Sequence, residues 1–190
     1  MTEGESLRRL LLERSVRRGS FLLASGQRSS YYIDCRLTTM SAEGMALIGR
    51  MGWNAIRLAG WQPAGVGGLT MGADPVAYAI AAASFGTEAP VDAFSVRSAA
   101  KDHGTGRLIE GNFKPGDAVV VVEDVITSGG SAGKALAAIE DAGGRVLGVL
   151  AVVDREQGGR ATLENDGRKV VALTTASELG LGALDPRHPR

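Results

Sequence analysis

The chain has 190 residues, 44% of them hydrophobic, which is enough for one domain with a sizeable core. Its 21 Lys and Arg balance its 21 Asp and Glu, so no overall charge favours a nucleic acid or an anionic membrane as a partner. Cys35 is the single cysteine, which excludes an intrachain disulfide and fits the cytoplasm, and we expect neither a signal peptide nor a membrane span because the N-terminus has no long apolar run.

Taken in chain order, the apolar periodicity predicts a series of helices and strands. Leu7, Leu10 and Leu11 have helical spacing, and Asp74 and Pro75 are suited to the N-cap and first positions of a later helix. The predicted elements are a helix at 3–18, short apolar strands at 21–23 and 31–33, a helix at 41–60 capped by Ser41, a strand at 64–68, a helix at 74–86, strands at 91–96 and 118–122, a helix at 131–142, strands at 145–153 and 170–173, and a helical turn at 177–181.

The order of these elements predicts the fold class. Strands alternate with helices over residues 41–153, which indicates an α/β fold with a parallel sheet flanked by helices. Residues 118–122 form a continuous, mostly β-branched run, typical of a strand buried on both faces. We expect one domain over residues 1–190, in which about 1–40 and 160–190 form a small hood outside the alternation.

The most informative segment is residues 119–131, VVVVEDVITSGGS, in which a buried strand ends in two acids and a small-residue loop begins a helix. Ligands of open α/β sheets bind at the carboxyl ends of strands, and the amides of a helix N-terminus attract phosphate. Glu123 and Asp124 would repel a phosphate but bind sugar hydroxyls. The combination therefore predicts a phosphorylated ribose as the ligand, whereas the alternative is a strand end with an acidic cap and a flexible turn.

The acidic segment resembles the motif with which type I phosphoribosyltransferases bind phosphoribosyl pyrophosphate (PRPP). The resemblance implies that the two acids hold the ribose hydroxyls, that residues 127–131 hold the 5-phosphate, and that Mg²⁺ is the cofactor, carried on the PRPP phosphates rather than by direct protein ligands. The residues that it assigns to PRPP here are Glu123, Asp124, Val125, Ile126, Thr127, Ser128, Gly129, Gly130 and Ser131.

Three further segments resemble the orotate phosphoribosyltransferases within this family. Residues 97–106, RSAAKDHGTG, resemble their mobile catalytic loop; residues 21–34, FLLASGQRSSYYID, resemble their N-terminal substrate segment; and residues 153–159, VDREQGG, resemble their base-side loop. The match covers about residues 19–160. The implied activity is that of a cytoplasmic glycosyltransferase, which transfers the 5-phosphoribosyl group from PRPP to orotate and releases pyrophosphate in de novo synthesis of UMP.

The cationic loop carries the implied catalytic residues. The resemblance assigns PRPP binding to Arg97, Lys101 and His103, and catalysis to Lys101, His103 and Asp124. Cations there would neutralise the departing pyrophosphate. It also implies a homodimer whose loop serves the neighbouring site, and residues 97–113 are long enough to span roughly 20–30 Å when extended. The alternative is a solvated surface turn.

Arg155 is the residue that points to orotate. Its planar guanidinium suits a carboxylate, which orotate carries and the common purine bases lack. The resemblance assigns orotate binding to Thr127 and Arg155, whereas the alternative is a surface arginine paired with Glu156. Tyr31 and Tyr32 are candidates for stacking on the base, but strand alternation directs only one of them inward.

The chain departs from the family pattern at three cationic positions. Ser98 stands where many members have a second basic residue, and Ala24 where many have a lysine; residues 68–75, GLTMGADP, lack a lysine that is common before the third helix. Two other interpretations stay open, a purine phosphoribosyltransferase and a PRPP-sensing regulator that binds nucleic acid. The zero net charge weighs against the regulator.

Overall fold

The computed structural model of the protein describes residues 1–22, 28–99 and 108–181. No helix in these ranges is both long and apolar enough to cross a membrane. The elements, in chain order, are α1 (Glu3–Arg14), β1 (Val16–Leu22), β2 (Arg28–Ile33), α2 (Arg36–Thr39), α3 (Ala42–Leu58), β3 (Gly65–Leu69), α4 (Ala73–Ser84), β4 (Asp92–Val96), β5 (Ile109–Gly111), β6 (Ala118–Ile126), α5 (Gly130–Asp141), β7 (Arg145–Asp154), α6 (Gly159–Asn165) and β8 (Val170–Thr175).

The main sheet has six strands in the order β5-β4-β3-β6-β7-β8. All neighbouring strands are parallel except β4 and β5, which are antiparallel. Strands β1 and β2 form a separate antiparallel pair. The predicted fold class, a parallel sheet flanked by helices, is therefore confirmed for the central part of the chain.

The two faces of β6 lie in two different parts of the core, as a strand buried on both faces requires. Val120 and Val122 pack in the cluster that contains the buried residues of α1, α3 and α4. Val119 and Val121 pack with the buried residues of α5 and with Leu163 of α6. The sheet is thus covered by helices on both sides, and the end of β6 lies between the two helix layers.

The first helix is shorter than its periodicity predicts. Helix α1 ends at Arg14, and the predicted helical residues 15–18 lie instead in the turn into β1 and in the strand itself. Val16 pairs with Ile33 of β2, and the buried Ser15 hydroxyl lies 2.7 Å from the Thr38 hydroxyl. These tertiary contacts outweigh the weak helical tendency of the segment.

Helix α4 begins at Ala73, so Asp74 and Pro75 lie in its first turn rather than at the cap. The Asp74 carboxylate instead accepts a hydrogen bond of 2.7 Å from the Ser95 hydroxyl, which ties α4 to β4. The helix ends at Ser84, two residues before the predicted end, because Phe85 has an extended backbone.

Three short elements, α2, β5 and α6, are missing from the sequence prediction because periodicity is hard to recognise in so few residues. Strand β5 pairs with β4, with Ile109 opposite Val96, so part of the predicted loop at 97–113 belongs to the sheet. Strand β8 also lies in the sheet, beside β7, and is therefore not part of the hood that residues 160–190 were expected to contribute to. The assignment of residues 1–190 to one domain stays a prediction.

Candidate active site

Strand β6 carries the two acids within the strand rather than after its end. The sequence predicts a strand over residues 118–122, whereas β6 continues to Ile126 because it stays paired with β7 up to Asp154. The Asp124 carboxylate lies at the start of α4, because a Cβ at position 72 would be 2.6 Å from its Oδ1.

The loop after β6 leads into a helix N-terminus that borders a cavity. Gly129 has a φ of 83°, a left-handed conformation that glycine adopts without strain, and α5 starts at the next residue. The first N–H groups of a helix have no intrahelical partner and attract anions. Residues 123–132 line a cavity of about 200 Å³, which brings together all nine residues of this segment that are predicted to bind PRPP. The Ile126 side chain is buried in the core, so this residue is suited to contribute main-chain atoms.

The two carboxylates of the cavity lie in an environment that disfavours their charge. Glu123 is 4% exposed, and burial followed by the charge of Asp124 raises the pKa of Glu123 to about 8. Burial also raises the pKa of Asp124, although its carboxylate accepts a hydrogen bond of 2.8 Å from the Val125 N–H. Glu123 Oε1 has no hydrogen-bond partner among the described residues. Hydroxyl groups of a ligand would satisfy these oxygen atoms.

A second cavity of about 250 Å³ adjoins the first and shares Glu123, Asp124, Val125 and Ser131 with it. Its other walls are residues 32–36, which include the end of β2 and the turn after it, and residues 69–72, which run from the last residue of β3 to α4. The predicted N-terminal substrate segment therefore meets the acidic pair.

An ion pair lies on the wall of this second cavity. Arg36 donates from Nε to Asp34 Oδ1 at 2.8 Å and from Nη2 to Asp34 Oδ2 at 3.0 Å. Arg36 was not singled out by the sequence analysis, because the resembling segment ends at Asp34. The sequence feature that could have identified Arg36 is an acid and a cation two positions apart, directly after a predicted strand.

Arg155 is buried at the end of β7. Its N–H donates to the Ile126 carbonyl at 3.0 Å, and its guanidinium lies 4.9 Å from the centre of the Tyr31 ring. Nε and Nη2 have no hydrogen-bond partner among the described residues. The alternative pairing with Glu156 is not formed, because the Glu156 carboxylate accepts from the Ser177 N–H at 2.7 Å.

Arg155 is not among the residues that line either cavity, but it lies near Cys35. Cys35, which lines that cavity, is 1% exposed, and burial raises the pKa of its thiol, as does the nearby charge of Asp124, whereas the Arg155 charge opposes this shift. Cys35 is therefore close enough to both groups to be influenced by their charges.

The alternation predicted for the two tyrosines is confirmed. Tyr31 is 7% exposed and faces Arg155, whereas Tyr32 is 41% exposed and packs against Phe21 with 5.8 Å between ring centres. Tyr31 is therefore the inward-facing residue of the pair.

Arg97 lies at the base of the predicted catalytic loop, outside both cavities. Its N–H donates to the Leu108 carbonyl at 2.8 Å, and its Nη1 lies 3.5 Å from Glu110 Oε1. Lys101 and His103 lie outside the described residues, as does Ala24.

The chain is similar to known proteins along almost its whole length, although no family model matches it. It is 44% identical over 182 residues to the orotate phosphoribosyltransferase of Aquifex aeolicus, an overlap that covers 94% of this chain and 98% of that protein. It is 45% identical over 180 residues to the orotate phosphoribosyltransferase of Mycobacterium avium, covering 95% of this chain and 98% of the relative.

The structure of the chain is also similar to a solved orotate phosphoribosyltransferase structure. The crystal structure of Mycobacterium tuberculosis H37Rv orotate phosphoribosyltransferase in complex with PRPP superimposes with a TM-score of 0.80 at 39% identity, covering 95% of this chain and 100% of that chain. The identity and coverage exceed what a shared fold alone requires, and the chain belongs to the orotate phosphoribosyltransferase family.

Proposed function

We propose that the chain catalyses the transfer of the 5-phosphoribosyl group from PRPP to orotate, giving orotidine 5′-phosphate and pyrophosphate in de novo synthesis of UMP. The observation that carries this proposal is the end of β6, where the buried Glu123 carboxylate, the half-buried Asp124 carboxylate and a helix N-terminus border one cavity. That combination suits a ligand that has both a phosphate and neighbouring hydroxyl groups.

The first cavity is the proposed site of the phosphoribosyl group. The hydroxyl groups of Thr127, Ser128 and Ser131 and the N–H groups at the start of α5 would hold the 5-phosphate. Glu123 and Asp124 would accept hydrogen bonds from the ribose hydroxyls. As the bond from ribose C1 to the pyrophosphate oxygen breaks, positive charge develops on the ribose, and the Asp124 carboxylate would stabilise it.

Arg155 is the proposed partner of the orotate carboxylate, with Thr127 as a second contact to the base. A buried guanidinium that has two unpartnered nitrogen atoms among the described residues is a strong donor for a bidentate acceptor. Arg155 lines neither cavity and its guanidinium lies over the Tyr31 ring, so orotate binding at Arg155 requires neighbouring side chains to move. This arrangement favours a base with a carboxylate over a purine.

The leaving pyrophosphate is the proposed target of Arg97, Lys101 and His103. Cations that meet this group mainly in the transition state lower the barrier by neutralising the charge that develops there. The hydrogen bond between Arg97 and Leu108 fixes the base of the loop at the edge of the sheet. Gly104 and Gly106 would allow the loop to close over the site and exclude water.

Mg²⁺ is the proposed cofactor, bound to PRPP oxygen atoms when the substrate enters. Its ligand preference is for oxygen, and the carboxylates of Asp34 and Asp124 both line the second cavity, so the residues present fit a substrate-borne ion. When bound, the ion neutralises part of the charge on the pyrophosphate.

A homodimer in the cytoplasm is the proposed state of the enzyme, with each loop serving the partner's site. Support comes from the resemblance. Tyr78, which is 49% exposed, and Leu108, which is 37% exposed, are large side chains on the described surface that a partner subunit could cover.

The experiment that tests the function is a turnover assay of the purified chain with PRPP and Mg²⁺, in which orotate, adenine and hypoxanthine are offered separately. We expect PRPP consumption and stoichiometric pyrophosphate release when orotate is the base, and neither when adenine or hypoxanthine is the base. Equal or faster turnover of a purine base would identify a purine phosphoribosyltransferase, and PRPP binding without turnover of any base would identify a regulator. Omission of Mg²⁺ tests the cofactor in the same assay.

A further inference from the structure

We propose that Arg36, held in place by Asp34, binds the pyrophosphate group of PRPP. This inference rests on the proposed function and adds a substrate-binding residue to it. The feature that carries it is the Asp34–Arg36 ion pair on the wall of the second cavity, next to Asp124.

The two cavities have an acidic lining, which disfavours an anionic ligand unless a cation is also present. The described residues that line them include three carboxylates, those of Asp34, Glu123 and Asp124, and a single cation, Arg36. Pyrophosphate is the most highly charged part of PRPP, and anions of this kind bind where guanidinium or ammonium groups compensate the charge. Arg36 is therefore the described side chain that is best suited to receive it.

The position of Arg36 selects pyrophosphate over the other anionic groups. The 5-phosphate belongs to the first cavity, which Arg36 does not line. Glu123 and Asp124 line both cavities. In the proposed binding mode these acids hold the ribose, and the substituents at ribose C1 then extend into the second cavity. The orotate carboxylate has its own buried partner in Arg155.

Asp34 orients the Arg36 guanidinium but accepts hydrogen bonds from only two of its three nitrogen atoms. Its two oxygen atoms accept from Nε and Nη2 of Arg36, and the Arg36 N–H also donates to Asp34 Oδ1 at 3.2 Å. The Nη1 group makes no hydrogen bond with the described residues, so its two N–H donors are available to a ligand. The Arg36 side chain is 47% exposed, so a substrate can reach it from the solvent.

The test compares three ligands on Arg36→Ala in buffer that contains Mg²⁺. Affinity for PRPP and for inorganic pyrophosphate should fall by about tenfold or more, as expected from the loss of a hydrogen bond to a charged group. Affinity for ribose 5-phosphate, which lacks pyrophosphate, should stay within about twofold. The KM for orotate should not change, whereas the KM for PRPP should rise. Arg36→Lys keeps the charge but loses the planar fork, so its loss should be intermediate.

Arg50→Ala is the matched control, because Arg50 is 56% exposed and pairs with Glu3 in a similar surface ion pair. It should leave all three affinities unchanged, and the melting temperatures of the variants should agree. Unchanged pyrophosphate affinity in Arg36→Ala would overturn the proposal. An equal loss for ribose 5-phosphate would also overturn it, since Arg36 would then act through Asp124 or the fold. A wild-type protein that does not turn over orotate would overturn the proposed function itself, and this inference with it.

Discussion

Glu123 and Arg155 are two buried, ionisable side chains at the site with polar atoms that lack a partner among the described residues. A buried polar group that makes no hydrogen bond typically costs about 1–3 kcal/mol, and more when it is charged. The fold gains no stability from carrying that cost twice, once on β6 and once directly after the neighbouring strand β7. We expect these groups to bind a ligand, because the ligand supplies the missing hydrogen-bond partners. Removal of the cost of the unpaired groups then contributes to the free energy of binding.

The pKa of Glu123 makes stability depend on pH. A glutamate in the unfolded chain has a pKa of about 4.3, whereas burial and the charge of Asp124 raise the folded-state pKa of Glu123 to about 8. The folded protein therefore binds more protons between these values, and its free energy of unfolding should fall as the pH rises from about 4.3 to 8. The expected decrease is on the order of a few kcal/mol.

Glu123→Gln should remove this part of the pH dependence, because glutamine stays neutral. Urea unfolding of the ligand-free protein at a series of pH values measures the slope. Glu88→Gln, at an exposed position, is the control and should keep the wild-type slope. If Glu123→Gln retains that slope as well, Glu123 is not the titrating group.

Removal of the Arg155 charge should separate binding from stability. Arg155→Met keeps much of the volume but deletes the donors, so orotate affinity should fall by about 2–5 kcal/mol while PRPP affinity stays nearly the same. The ligand-free variant should be at least as stable as the wild type, since a buried cation without described hydrogen-bond partners for Nε and Nη2 is removed.

Calorimetric titration with orotate and thermal unfolding check the two halves of the Arg155 prediction. Arg160→Met serves as the control, since Arg160 forms a surface ion pair with Glu164. Unchanged orotate affinity in Arg155→Met would place the carboxylate contact elsewhere.

At the scale of elements, the start of α6 supports the phosphate loop. The Gly159 N–H donates to the Thr127 carbonyl at 3.0 Å, so the base-side loop packs directly on the loop that precedes α5. A Cβ at position 159 would lie 2.5 Å from the Thr127 oxygen and 2.7 Å from the Gly129 nitrogen. The backbones approach too closely for any side chain, which couples the base side of the site to the phosphate side.

Gly159→Ala should therefore push the two loops apart. We expect a loss of about 1–3 kcal/mol in stability, as for overpacked sites, together with weaker binding of PRPP and of ribose 5-phosphate. Gly133→Ala is the matched control, because a Cβ at this position in α5 meets nothing within 4 Å and alanine stabilises a helix by roughly 0.5–1 kcal/mol. Chemical denaturation and phosphate-ligand titrations distinguish the two variants. Normal ligand affinity in Gly159→Ala would show that the loops are not coupled.

At the scale of the whole molecule, the loop base limits how far the catalytic loop reaches. The hydrogen bond from the Arg97 N–H to the Leu108 carbonyl leaves ten residues, 98–107, between two fixed points. A chain of this length that leaves and returns extends at most about 20 Å from its base, the lower end of the 20–30 Å expected from residues 97–113. A shared site must therefore lie close to the two-fold interface.

Mixing two inactive variants tests loop sharing. Lys101→Ala is combined with Arg155→Met under conditions that exchange subunits. If loops are shared, one site of each mixed dimer has intact Arg155 from its own chain and intact Lys101 from the partner. Random exchange makes half of the dimers mixed, so activity should return to about a quarter of wild type. A flat result with exchange verified by mass would reject sharing and leave the orotate assignment intact.

The sequence alone was sufficient where the determinants are local. The β-branched run before Glu123, the glycine loop and the Ser41 cap each depend on neighbours in the chain, and the structure has the predicted strand, turn and helices there. Ser41 indeed accepts a hydrogen bond from the Gly44 N–H at 3.1 Å. Spacing between motifs was also enough to indicate the family, since motif order is itself a property of the sequence.

Tertiary structure decided everything that depends on residues far apart in the chain. Residues 15–18 left the helical pattern because β1 pairs with β2, and β6 continued through its two acids because β7 pairs with it to the end. The absence of a described hydrogen-bond partner for Nε and Nη2 of Arg155, and the approach of Arg36 to Asp124, depend on burial and on contacts between distant segments. Local periodicity carries no information on such contacts, because burial and charge environment are fixed only when the strand ends and loops pack together.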